Sequence, residues 1–251
     1  MAWINDTDTE WKRCGEKDPY FAVLSSTRFR CGENSDEFFQ TGRDHFNEIK
    51  ENFKRLAIPL GPEGIALDFG CGVGRVSKAL CSYFNKVIGL DISPAMLTEA
   101  RKKVDSPKAD FRLLDSDDPT QCLDGNTFQY IHTYPQHIRP KRGLIFLRTL
   151  LRHLESDGKA FIHTPVMIHN RVKYITDQIV GSYPLLLKLS RILLCKWGLR
   201  NDPVMQMNVY AAEQLLELFT EEGVENRYVS LFKDAKNQLT HACWYLYPNV
   251  A

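Results

Sequence analysis

Hydrophobic spacing divides the chain into a helical opening and a longer stretch in which strands and helices alternate. In "EFFQTGRDHFNEIKENFKRLAI", Phe38, Phe39, Phe46, Ile49, Phe53 and Leu56 recur near helical spacing, which predicts an amphipathic helix. "PLGPEG" then breaks the chain, and the first sixty residues carry no strong strand signal. From residue 65 the pattern changes to short apolar runs. "IALDF", "KVIGLDI", "DFRLLD", "FQYIHT" and "KAFIHTPV" read as buried strands. Between them, "RVSKALCSYF", "SPAMLTEARKKV" and "RGLIFLRTLLRHL" read as helices, the second capped by Ser93 with Pro94 at its first position. "SDG", ahead of the fifth strand, reads as a turn. This alternation predicts a parallel sheet covered on both faces.

The alternation stops at residues 167–208, an insertion with helical leanings. "AAEQLLELFTEEGV" then reads as a helix. "ENRYVSLF" and "THACWYLY", separated by "KDAKNQL", read as an antiparallel hairpin. The expected fold is α/β: a Rossmann-like, doubly wound sheet of seven strands with an antiparallel C-terminal hairpin. Residues 1–60 form a helical cover, and residues 61–251 form the main domain with its insertion.

One stretch breaks the apolar rhythm at its centre. In "IALDFGCGVGRVSKAL" a strand meets Asp68, then Gly70, Gly72 and Gly74 at alternate positions, then a helix. Glycine weakens strand and helix interiors, so three together mark a backbone with a special task. A glycine-rich turn between strand and helix lets a ligand approach the backbone beside free N–H groups. The dinucleotide fingerprint G-x-G-x-x-G would place its third glycine at position 75, which is Arg75, and this disfavours an NAD-linked oxidoreductase. Asp91 closes the second strand 21 residues after Gly70, where a carboxylate accepts both ribose hydroxyls of a nucleotide-like ligand.

"ALDFGCGVGRVSKAL" followed by "VIGLDISPAMLTEARKK" resembles the class I S-adenosylmethionine-dependent methyltransferases, nearest their small-molecule branch, over residues 60–165. The resemblance implies S-adenosyl-L-methionine as cofactor. It implies that Asp68, Gly70, Gly72 and Gly74 line its methionine part, that Asp91 holds the ribose and that Ile92 packs on adenine. Asp115 with Ser116 would reach the adenine edge, with Asp117 and Asp118 as rivals. Arg43 is a candidate partner of the methionine carboxylate, against its reading as an exposed helix arginine.

Methyl transfer requires alignment, exclusion of water and, for a hydroxyl acceptor, a base. His132, His137 and His163 fall near predicted strand ends. His137, in "HTYPQHIRP", is the first candidate base, and His163 and Tyr134 are further catalytic candidates; each also has a structural reading, as a helix-start, strand-end or packing residue. Some relatives carry Glu-His where this chain has Gln136-His137 and use the pair for a metal; here the acid is missing and no metal is expected. The N-terminal Tyr20, Phe21 and Phe39 read as lid aromatics or as core.

Composition narrows the partners. The formal net charge is +1, which argues against nucleic acid as a partner. Seven cysteines without a C-x-x-C pair suit reduced thiols and a cytoplasmic setting, and the polar N-terminus does not read as a signal peptide. No apolar run is long enough to span a membrane. Residues 185–197 are rich in Leu and Ile and carry Lys188, Arg191 and Lys196 without an acid. They read as a packed subdomain helix, as a lid or homodimer contact within 183–200, or as a basic amphipathic helix on a membrane surface. The expected function is methyl transfer to an oxygen or nitrogen of a small molecule, a sugar or secondary-metabolite hydroxyl preferred. A lipid-like acceptor at the membrane surface and a non-catalytic cofactor-binding scaffold are the alternatives.

Overall fold

The computed structural model describes residues 7–115, 118–170, 207–234 and 238–247. Seven strands form one sheet in the order β3-β2-β1-β4-β5-β7-β6. They are β1 (Ile65–Phe69), β2 (Lys86–Asp91), β3 (Ala109–Leu113), β4 (Phe128–Thr133), β5 (Leu154–Ile168), β6 (Asn226–Asp234) and β7 (Leu239–Tyr247). β1 to β5 pair in parallel, and β7 runs antiparallel to both β5 and β6. This is the seven-stranded α/β arrangement with its antiparallel C-terminal hairpin. The chain order reverses between β1 and β4, and their carboxyl ends open the crevice in which such sheets hold ligands.

The described helices are α1 (Thr7–Lys17), α2 (Pro19–Val23), α3 (Ser35–Arg55), α4 (Ser77–Cys81), α5 (Pro94–Lys103), α6 (Thr120–Leu123), α7 (Pro140–Arg152) and α8 (Ala212–Glu221). The expected helix "RVSKALCSYF" reduces to α4, because the glycine turn runs on through residue 76 and turns resume after Cys81. Ser156–Gly158, expected as a turn, lie inside β5, which begins at Leu154 and pairs with Phe128 before a register shift. Ser93 Oγ accepts from Met96 N–H at the start of α5, with Pro94 following, as the capping pattern predicts. Of the insertion, residues 171–206 lie outside the described residues, and with them all of 185–197.

Two apolar layers sandwich the sheet. On one face Phe38, Phe46, Ile49 and Phe53 of α3 pack with Phe84, Tyr130, Phe161 and Tyr245. On the other, Phe146, Leu147 and Leu150 of α7 pack with Leu215, Leu218 and Phe219 of α8 on Leu67, Ile131 and Trp244. Arg148 and Arg152 of α7 reach Glu222 just beyond α8, at 2.7 and 2.8 Å.

The approach of α3 to the glycine turn is unusually close. A Cβ on Gly42 would stand 2.1 Å from the Arg75 carbonyl oxygen, a backbone atom that cannot swing aside. Gly42→Ala must therefore push α3 off the turn. Overpacking of this kind costs about 1–3 kcal/mol, to be read as a lower urea midpoint; an unchanged midpoint would show that the contact yields freely.

Candidate active site

The glycine turn is tied to the neighbouring strand by its backbone. The N–H groups of Gly70 and Cys71 donate to the Leu90 carbonyl at 2.8 and 2.9 Å. Gly70 (φ +80°) has open space where a Cβ would stand, so a ligand can meet the main chain there. Gly74 (φ +78°) does a different job. A Cβ on it would lie 2.6 Å from Val104 Cγ2, and it lets the turn pack against α5 and β3.

Asp91, at the end of β2, accepts from Gly72 N–H at 2.8 Å on one oxygen and from Ser93 N–H at 2.9 Å on the other. Burial raises its pKa, and these backbone donors pull it back. Each oxygen keeps a lone pair for a further donor. Asp68 is buried and accepts from Ser77 Oγ at 2.5 Å. Burial pushes its carboxyl up to about 6.

A cavity of about 360 Å³ joins these groups to the end of β4. Asp68, Gly70, Gly72, Asp91 and Ile92 line one part, and Tyr134, Gln136 and His137 line the other. The second part sits on a short 3-10 turn, Pro135–His137, held from the chain that returns after the insertion. Asn208 N–H donates to the Gln136 carbonyl at 2.7 Å, and the Tyr210 hydroxyl stands 2.9 Å from the carbonyls of Pro135 and Ile138. The Gln136 side-chain amide lies 3.2 Å from His137 Nε2, to which it can donate. Trp11 of α1 meets the His137 ring edge-on, with centroids 4.6 Å apart. Asp8 of the same helix pairs with Arg142 of α7 at 2.7 Å.

Behind Tyr134 lies a group of buried and half-buried histidines. The Tyr134 hydroxyl is 2.6 Å from His45 Nε2. Burial and then the Arg75 charge lower His45 to about 3, while burial drives the Tyr134 pKa up. Both are neutral, and the hydroxyl donates to His45 when the ring hydrogen is on Nδ1. His132 lines the cavity, is fully buried, and is held well below the ordinary histidine range by burial. His163 lies 3.0 Å from His241 through ring nitrogens and is lowered to about 3, first by burial.

The structure thus brings Asp68, Gly70, Gly72, Asp91, Ile92, Tyr134 and His137 to one cavity, and places four other candidates elsewhere. Arg43 donates to Gln40 Oε1 on its own helix, at 2.8 Å through Nε. Gly74 packs as described. Asp115 is exposed beyond the lining residue Leu114, and His163 stands behind Tyr134. Ser116 lies outside the described residues, as does Asp117. Among the described residues no group of three or more His, Cys, Asp or Glu side chains could hold a metal. No described helix is long and apolar enough to cross a membrane. The lining also includes Arg75 and Arg142, which the sequence reading did not place there.

Residues 66–158 match the model of a family described as "Methyltransferase domain". Over that stretch the chain is similar to the S-adenosylmethionine-dependent methyltransferases. It is 25% identical over 138 residues to a trans-aconitate 2-methyltransferase of Methylobacterium nodulans, covering 53% of this chain and 50% of that protein. It is 31% identical over 156 residues to a carboxy-S-adenosyl-L-methionine synthase of Sulfurimonas denitrificans, covering 59% and 64%. The matches therefore span half to under two thirds of these curated relatives. In fold, it is similar to the N-methyltransferase NodS of Bradyrhizobium japonicum, solved with S-adenosyl-L-homocysteine (SAH), at a TM-score of 0.59 and 11% identity, over 98% of this chain and 100% of that one.

Proposed function

We propose that this protein transfers the methyl group of S-adenosylmethionine to an oxygen or nitrogen of a small molecule, a hydroxyl of a sugar or secondary metabolite being preferred. The observation that carries the reading is the single cavity running from Asp91 to His137. The residues present fit the cofactor. Gly70 leaves the main chain open, and Asp91 is fixed by two backbone donors with lone pairs to spare. Asp91 would hold the ribose, Ile92 the adenine face, and Asp68 with the glycine turn the methionine part. When bound, S-adenosylmethionine supplies a methyl group already activated on a sulfonium.

The chain's own task is then alignment, exclusion of water and handling of a proton. Trp11, Val23 and Leu24, from α1 and the end of α2, wall the cavity with apolar surface. Tyr134 and Gln136 would orient the acceptor, and His137 would take a hydroxyl proton. These groups beyond the cofactor residues favour an enzyme over a non-catalytic scaffold. The membrane-surface reading depends on 185–197, outside the described residues.

Asp91→Ala tests the reading. Loss of charge-assisted bonds to the ribose is expected to weaken SAH by about 2 kcal/mol, read by calorimetry on a variant checked for an intact fold. Unchanged affinity would remove Asp91 from the ribose. Binding of NAD with no binding of SAH would defeat the cofactor assignment itself.

A further inference from the structure

The last strand of the sheet, β6, has a neighbour on one side only. Among the described residues β7 alone pairs with it, so the backbone along its other side faces outward. It runs nine residues, Asn226–Asp234, and follows β7 without a register shift. Its centre is apolar and uncovered: Tyr228, Val229, Leu231 and Phe232 are all exposed, Leu231 to 62%. Sheet edges that stay solitary carry central charges, proline or a bulge that bars a second strand. From Tyr228 to Phe232 there is no charge and no proline.

Those five residues read alike in both directions: aromatic, aliphatic, serine, aliphatic, aromatic. Strand alternation sorts them onto two faces. Tyr228 and Phe232 share the face of Tyr245, which packs with α3, and Val229 and Leu231 share that of Trp244, which packs with α7 and α8. A second copy related by a two-fold axis perpendicular to the sheet runs antiparallel and keeps each face on its own side. With the axis at Ser230, Tyr228 of one copy meets Phe232 of the other, and Val229 meets Leu231. Moving the axis one residue either way sets Phe232 against Asn226, or Val229 against Lys233.

The charges agree with the Ser230 register. Arg227 is turned away, its Nη1 donating to the Val224 carbonyl at 3.2 Å. Lys233 lies diagonal to Glu225 of the other copy, just ahead of β6 and on the same face, a separation that long side chains span. Both are exposed, and neither makes an ion pair among the described residues.

We propose that β6 is the contact surface for a second copy of this chain, the two sheets joining through antiparallel β6 strands about a two-fold axis at Ser230. Four apolar side chains per copy on a nine-residue strand make a small interface beside the roughly 800 Å² per partner of a standard one. The dimer is therefore expected to form reversibly, as concentration rises.

The test is sedimentation equilibrium on the whole chain, over a concentration series reaching about 0.2 mM. Wild type is expected to pass from monomer to dimer. Leu231→Lys puts a charge at the centre of the contact and should weaken the dimer by about tenfold or more. Its urea midpoint should stay at the wild-type value, because the side chain is exposed in one copy. Lys233→Glu and Glu225→Lys should each weaken the dimer, and the double variant should recover most of the loss. The two positions stand about 26 Å apart along one strand, so recovery can come only from between copies. Wild type that stays monomeric throughout, as it would if another part of this chain covers β6, overturns the proposal. So does a dimer that Leu231→Lys leaves intact, or assembly that runs on past the dimer. A double variant with no recovery removes the axis from Ser230 and overturns the proposal as well.

Discussion

His137→Ala is expected to slow the methyl-transfer step to a hydroxyl acceptor by about 10²–10⁴-fold, the usual worth of a positioned general base. Cofactor affinity should stay nearly unchanged, because the residues proposed to hold it sit on β1 and β2. His137 lies in the cavity wall, on a turn whose carbonyls are held by Asn208 and Tyr210 and whose ring is braced by Trp11. When the Gln136 amide donates to Nε2, the lone pair stands on that nitrogen, so a proton arriving there displaces one hydrogen bond and no covalent structure. His163→Ala is the control. That ring stands behind Tyr134 against His241 and has no place in the cavity lining, so its loss should leave the transfer step within a few-fold. The measurement is single-turnover transfer of a labelled methyl group, with and without EDTA. A crippled His163→Ala beside an active His137→Ala would move the base to the other strand. Activity lost to EDTA and restored by Mg²⁺ would bring a metal to the Gln136-His137 turn.

The parts of this site that were legible in the sequence are those the backbone makes. A strand, a glycine turn and an acid at the next strand end have a fixed spacing, because β1 and β2 are parallel neighbours and Leu90 receives the turn's N–H groups. Gly70 and Gly74 look alike in sequence, yet one faces open space and the other faces Val104; only tertiary packing separates them. Arg75 entered the sequence argument as the residue that spoils a dinucleotide fingerprint. Its place in the cavity wall depends on α3 crossing the turn at Gly42, a contact between residues 33 positions apart with no local signal. Arg43 was attractive as a cation on that same helix, but its direction is set by the helical face, and it reaches only one turn back to Gln40. Tyr210 and Asn208 were invisible for the same reason. They follow a long insertion and act on residues some seventy positions earlier.

Stability should fall steeply as the pH drops from 7 to 5. His45 and His163 have folded-state values of about 3, against 6.5 for the free side chain, and His132 is lowered in the same direction. Burial is the first cause in each. Between about pH 3 and 6.5 the unfolded chain therefore binds protons at these positions that the folded chain refuses. The stabilisation is present above 6.5 and is lost as the pH falls, by about 1.4 kcal/mol per pH unit for each fully titrating group. Asp68 works the other way. Its value of about 6 exceeds the ordinary 3.8, so it favours the fold in acid and loses that contribution as the pH rises through 6. With His241 lowered and Asp91 raised in the same two senses, four histidines against two carboxyls leave a net loss on acidification. Glu222, lowered by Arg152, gives way only below the ordinary carboxylate range, so the interval from pH 7 to 5 isolates the histidines from it. Urea unfolding across that interval should show a midpoint that drops with pH. His45→Asn keeps a partner for the Tyr134 hydroxyl and removes one titrating ring, so its pH slope should be shallower by close to one proton. A His45→Asn protein with the wild-type slope would mean that the His45 ring takes up no proton on unfolding that the fold refuses, and the neutral Tyr134–His45 pair would have to be redrawn.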